Sequence, residues 1–210
     1  EFLSKANTEK HSDDGENSFL KYGLCDMQGW RKRQEDAHVA DISKGEKNNI
    51  DVFGVFDGHG GKEISTFVSK HFTKELINNK NIDTDLKQAL KETFLKMDEI
   101  MVTNESIEEI KAIARQSKLD DDTQSKKEPP NSQMSLISQL VGSKDPESNE
   151  ISQHTGCTAC VVSINETEKK LYFANAGDSR VVMCKKGIAY EKSIDHKPEL
   201  ESEKTRIYKA

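Results

Sequence analysis

The run Ile50-Asp51-Val52-Phe53-Gly54-Val55-Phe56 is β-branched and aromatic and stops abruptly against Asp57-Gly58-His59-Gly60-Gly61. Such a run reads as a buried strand. A carboxylate placed directly after it sits where the apolar segment reaches solvent. The glycines that follow remove side-chain bulk and permit backbone angles closed to other residues, so a main-chain carbonyl is able to turn towards a ligand. This break constrains the fold most: strand, tight turn bearing an acid, then helix.

The rest of the chain falls into blocks around it. Residues 1–18 are polar and read as a flexible lead-in. Phe19 to Met27 and Ala37 to Ile42 read as strands. From about Lys62, Ile64, Phe67, Val68, Phe72 and Leu76 recur at helical spacing. Asp83 to Met101 repeats the pattern, with Asp83 or Thr84 as cap. Ile107 and Ile110 end that region or open a short third helix. Residues 116–154 lose periodicity and read as a largely disordered insertion whose one apolar patch is Leu136, Ile137, Leu140 and Val141. Cys157 to Ile164, Leu171 to Ala176, Val181 to Cys184 and Ile188 to Tyr190 read as strands, with Lys186-Gly187 as a hairpin turn. Pro198 reads as the start of a helix. Helices and strands in separate blocks predict an α+β fold with helices against an antiparallel sheet.

Composition narrows the function. The 210 residues suit one domain and carry a net charge of −6, which disfavours nucleic-acid binding. No apolar run is long enough to span a bilayer, and no signal-peptide pattern is present. Were Met-Gly to stand before Glu1, Ser4 would occupy the position an N-myristoyl signal requires, giving a weak membrane anchor; otherwise Glu1-Phe2 reads as a cloning remnant. Cys157 and Cys160 form a C-x-x-C, but residues three apart on a strand point to opposite faces. That opposes a shared metal or disulfide. The four cysteines read as buried thiols of a reducing, cytosolic or nuclear compartment.

Acids stand at several abrupt strand ends: Glu35-Asp36, Asp57 and Asp178, with Arg31 and His59 beside them. Asp57-Gly58 alone reads equally as a turn, and Asp178-Ser179 as a loop cap. Taken together, Glu35, Asp57 and Asp178 form a hard oxygen set suited to Mg²⁺ or Mn²⁺. Converging carboxylates repel by roughly 4 kcal/mol per close pair in a partly screened site. Either a bound cation or a proton relieves that repulsion.

These residues lie in segments that resemble the PP2C-type metal-dependent protein serine/threonine phosphatases. Gly29-Trp30-Arg31-Lys32-Arg33-Gln34-Glu35-Asp36-Ala37-His38 is similar to the first signature of that family. Val55 to Gly61 resembles the second and Gly156-Cys157-Thr158-Ala159 the third. Ala174-Asn175-Ala176-Gly177-Asp178-Ser179-Arg180 resembles the fourth, and Asp195-His196-Lys197-Pro198 the fifth. All five occur in the family's order across residues 19–210, the insertion apart.

The resemblance implies a four-layer αββα sandwich of two antiparallel sheets flanked by helices. It implies hydrolysis of phosphoserine and phosphothreonine in proteins, with two Mg²⁺ or Mn²⁺ ions and a third, weaker site. By the same resemblance Asp57 bridges both metals, while Glu35 and the main-chain carbonyl of Gly58 ligate one. Asp36 orients the water and Asp178 helps hold the third ion. Arg31 binds the phosphate, with Arg33 as the alternative, and His59 is the general acid. Two further aspartate motifs of the family, D-G-x-W-D and a late D-N, do not occur, so the domain reads as truncated at its C-terminus. Two other classes remain open: a catalytically inactive module that binds phosphoproteins, and an unrelated metal-binding scaffold.

Overall fold

A computed structural model describes residues 2–43, 49–125 and 154–210. The predicted strand at Ile50–Phe56 is present over the same residues. With β1 (Phe2–Glu16), β2 (Lys21–Arg31) and β3 (Ala37–Asp41) before it, it is β4. β4 lies at the centre of the main sheet, whose order is β3-β4-β7-β8, all antiparallel. Here β7 is Ala159–Asn165 and β8 is Lys170–Ala176. Two short strands, β5 (Gly58–His59) and β6 (Gly156–Cys157), pair just beyond its end.

Alternation along β4 explains the layering. Val52 and Phe56 are fully buried in the core with α1 (Glu63–Ile77), α2 (Leu86–Met101) and α3 (Asn104–Ser125). Phe67, Phe72 and Leu76 of α1 are buried in the same core, and the Phe72 ring meets both Phe56 (centroids 5.8 Å) and Phe94 (5.5 Å, edge-on). Phe53 points the other way and meets Tyr22 of β2 at 5.5 Å. Antiparallel sheets flanked by helices are therefore as expected, with four helices among the described residues. The fourth, α4 (Glu201–Lys209), buries no residue.

Three boundaries differ from the sequence reading. Phe2–Glu16, within the segment read as a lead-in, pairs with β2 as a long hairpin. The side chain of Asn17 anchors its turn. Asn17 Oδ1 accepts from the N–H groups of Phe19 (2.8 Å) and Leu20 (2.9 Å), while Nδ2 donates to Glu166 Oε1 (2.6 Å), Ser43 O (3.2 Å) and Asp51 Oδ1 (3.3 Å). Second, α2 is capped by Asp85, not Asp83 or Thr84: Asp85 Oδ1 accepts from the Gln88 N–H at 3.0 Å. Third, α3 is a full helix of 22 residues that runs past the expected start of the insertion. It is held to α1 by His71, whose Nε2 lies 2.8 Å from Glu109 Oε2 and whose ring packs on Phe67. The apolar patch at Leu136–Val141 lies outside the described residues.

The C-terminal hairpin joins β9 (Val182–Lys185) to β10 (Ile188–Glu191) through Lys186 and Gly187, both left-handed (φ 53° and 79°). That is the two-residue turn whose twist matches paired strands.

Phe72→Ala should lower unfolding stability by about 3–5 kcal/mol, as expected for a large aromatic lost from a packed core. A denaturant melt measures this directly, and a shift within about 1 kcal/mol would contradict the packing described.

Candidate active site at the end of the central sheet

The turn after β4 is built around one close approach. A Cβ placed on Gly58 would overlap the main-chain carbonyl oxygen of Glu35 and stand 2.8 Å from Ser65 Oγ. Ser65, fully buried at the start of α1, donates to that same Glu35 carbonyl at 2.5 Å. The Glu35-Asp36 segment is thereby pinned against the Asp57-Gly58 turn. Gly60 and Gly61 take positive φ values (74° and 149°), which only glycine adopts without strain.

The carboxyls of Asp36 and Asp57 meet here. Burial, then the charge of Asp57 and a hydrogen bond with it, push the Asp36 carboxyl above the usual carboxylate range; the charge of Arg31 pulls the other way. Arg31 ends β2, with its carbonyl accepting from Gln28 Nε2 at 2.8 Å. His59 is exposed on β5, and its ring lies over Gly156. A Cβ on Gly156 would come within 2.7 Å of His59 Nε2, so the ring's position depends on the glycine. His59 also lines the mouth of a largely apolar cleft of about 550 Å³ between α1, α2 and β6.

Asp178 follows Gly177 (φ 114°) in the loop after β8 and is exposed. It reaches the Asp57 turn indirectly, through Thr158. The Thr158 N–H donates to Asp57 O at 2.9 Å, Thr158 Oγ1 accepts from the Asp57 N–H at 3.2 Å, and the same hydroxyl lies 2.8 Å from Ser179 Oγ.

The structure thus brings Asp36 to Asp57, with Arg31 near enough for its charge to act on Asp36. It brings the backbone of Glu35 against Gly58. It does not gather the Glu35, Asp57 and Asp178 carboxylates into one point: among the described residues, no three of His, Cys, Asp and Glu converge as a metal cluster. The donors present nonetheless fit a hard divalent cation. They are oxygens, and two acids already meet at a carboxyl whose ionised form is disfavoured, a cost a cation would offset.

Sequence reasoning assigned no role to Ser65, Thr158, Asp195 or His196. Asp195 accepts two parallel bonds from Arg180, both 2.9 Å, and His196 Nδ1 accepts from the Gly177 N–H at 3.3 Å. Two of the five signature segments therefore lock each other in place. The C-x-x-C carries no bond: all four thiols are free, with Cys160 buried and Cys25 and Cys184 exposed rather than buried as expected. Burial pushes the Cys157 thiol up to about 12, so it is inert as a nucleophile.

The Protein phosphatase 2C family model matches residues 20–113 and 102–210. A Paramecium tetraurelia protein named probable protein phosphatase 2C 4 is 40% identical across the whole chain, which covers 58% of that relative. An Arabidopsis thaliana protein, probable protein phosphatase 2C 21, is 39% identical over the whole chain, covering 59% of its length. A solved structure of a C. elegans sex determining protein superposes with a TM-score of 0.56 at 19% identity, over 98% of this chain and 38% of that one. The last is a likeness of fold alone. The chain spans somewhat under three-fifths of the length of the curated relatives it matches.

Because the folded state holds a proton on Asp36 more tightly than the unfolded chain does, ionisation costs stability as pH rises through the folded value. Asp36→Asn should therefore raise the thermal midpoint at pH 7 without divalent cation. The gain should vanish well below the ordinary carboxylate range, where both states are protonated. Equal midpoints for wild type and variant at pH 7 would contradict the close Asp36–Asp57 contact.

Proposed function

This chain belongs to the protein phosphatase 2C family, and on that premise we propose that the protein hydrolyses phosphoserine and phosphothreonine in other proteins. The observation that carries this reading is the meeting of Asp36 and Asp57 at the end of the central sheet, with the Arg31 charge beside them. The names of the relatives support phosphatase chemistry and lend nothing to an inactive binding module.

Asp57, Glu35 and the Gly58 carbonyl would hold divalent cations, with Asp178 contributing to a weaker third site. When bound, two Mg²⁺ or Mn²⁺ ions supply Lewis acidity and a water that is acidic enough to attack phosphorus at neutral pH. The protein's own groups do the rest. Arg31 offers parallel donors to two phosphate oxygens, a geometry lysine lacks, and stabilises charge on the transferring group; Arg33 is the alternative for this role. Asp36, an exposed acid held against Asp57, orients the attacking water by accepting from it. His59, exposed at the rim, delivers a proton to the departing seryl or threonyl oxygen. No side chain is needed as nucleophile, in keeping with the inert Cys157.

The substrates are phosphorylated proteins. The four free thiols fit a reducing compartment, cytoplasmic or nuclear. Among the described residues no helix is long and apolar enough to cross a membrane.

The decisive test is manganese-dependent hydrolysis of a phosphothreonine peptide by the intact protein. Asp57→Ala should reduce turnover to background; wild-type-like rates in that variant would refute the assignment. His59→Gln should slow release of an alkoxide far more than release of an activated phenol. General-acid assistance contributes about 10²–10⁴-fold when the leaving group is poor. Equal losses on both substrates would remove His59 from the proton-transfer role.

A further inference from the structure

We propose that Thr158, backed by Ser179, is the positioning residue that sets the Asp57 turn and couples it to the Asp178 loop. This inference rests on the cation-dependent reading above. The reason lies in how Thr158 is bonded. Its peptide N–H donates to Asp57 O (2.9 Å) and its hydroxyl accepts from the Asp57 N–H (3.2 Å), so both main-chain polar groups of Asp57 end on one residue.

The hydroxyl then continues to Ser179 Oγ at 2.8 Å, the residue next to Asp178. A hydroxyl has one proton and two acceptor sites, so Thr158 Oγ1 serves Asp57 and Ser179 together. No apolar side chain of the same shape does this. Packing reinforces the link: a Cβ on Gly177 would stand 2.6 Å from Thr158 Cβ, so the loop carrying Asp178 closes directly on Thr158. Thr158 lies between β6 and β7, where the short β5–β6 pair gives way to the main sheet. From there it reaches both acid-bearing loops. Residues that orient ligands from outside the coordination sphere change metal affinity by about 10–100-fold when removed.

Manganese uptake by the intact protein, followed by titration calorimetry, tests this without relying on turnover. Unfolding midpoints measured in chelator report the fold. Thr158→Val keeps the shape and should weaken Mn²⁺ binding by about tenfold or more, with a small change in the metal-free midpoint. Thr158→Ser should restore affinity to near the wild-type value, because it returns the hydroxyl. Ser179→Ala should weaken binding by a smaller factor, and the double variant should be no worse than Thr158→Val alone. Unchanged affinity in Thr158→Val, or equal losses in the valine and serine variants, overturns the proposal. Should Thr158→Val fail to fold, Ser179→Ala decides: wild-type affinity there also overturns it. If the wild-type protein takes up no manganese, the phosphatase reading and this inference fail together; if wild type binds and the variants do too, only the inference fails.

Discussion

The close approach of Gly58 to the Glu35 carbonyl holds this site together. It is possible only because Gly58 lacks a Cβ and because the buried Ser65 hydroxyl satisfies the carbonyl that would otherwise be stranded. The meeting of the first two acid-bearing segments depends on that contact. It brings the segment between β2 and β3 against the end of β4, and so lets Asp36 reach Asp57. It also sets the first turn of α1, whose Phe67, Phe72 and Leu76 cover the helical face of the sheet. Core packing and site geometry thus share a single backbone contact.

The electrostatics follow from that geometry. Two acids on separate segments are placed side by side at the end of the sheet, and the cost falls on Asp36. Two acids so placed are less stable than a neutral pair would be. The hydroxyls of Ser65 and Thr158 and the Arg180–Asp195 pair are the neutral or balanced contacts that keep the acidic segments from moving apart.

The parts of this arrangement that were legible in the sequence are those with an apolar signature. β4 was readable residue for residue because its hydrophobic run ends at an acid followed by glycines. α1 and α2 were readable because their buried residues recur at helical spacing. β1 was invisible: its residues are polar, and it is held by pairing with β2 and by Asn17, neither of which leaves a periodic mark. The α2 cap was misplaced by one or two positions because Asp83, Thr84 and Asp85 are all good caps, and only backbone geometry selects among them. The candidate acids were readable as a set through resemblance. Which acid touches which was not, since Asp36 meets Asp57 only after two chain segments fold together. Ser65 and Thr158 were passed over because a lone hydroxyl carries no charge or spacing to single it out.

The β9–β10 hairpin has a consequence for how this region tolerates change in length. Its turn has two residues, both left-handed; from it the ladder runs back to Lys192 and Val181, whose N–H donates to Ser193 Oγ. Beyond it stand the Asp195–Arg180 and His196–Gly177 contacts. An extra residue at the tip would shift this ladder by one and turn each side chain to the opposite face, carrying Asp195 away from Arg180. The loop bearing Asp178 would lose its brace although no acid had been altered. Hairpin length therefore acts as a molecular ruler for a site that lies well away from its tip.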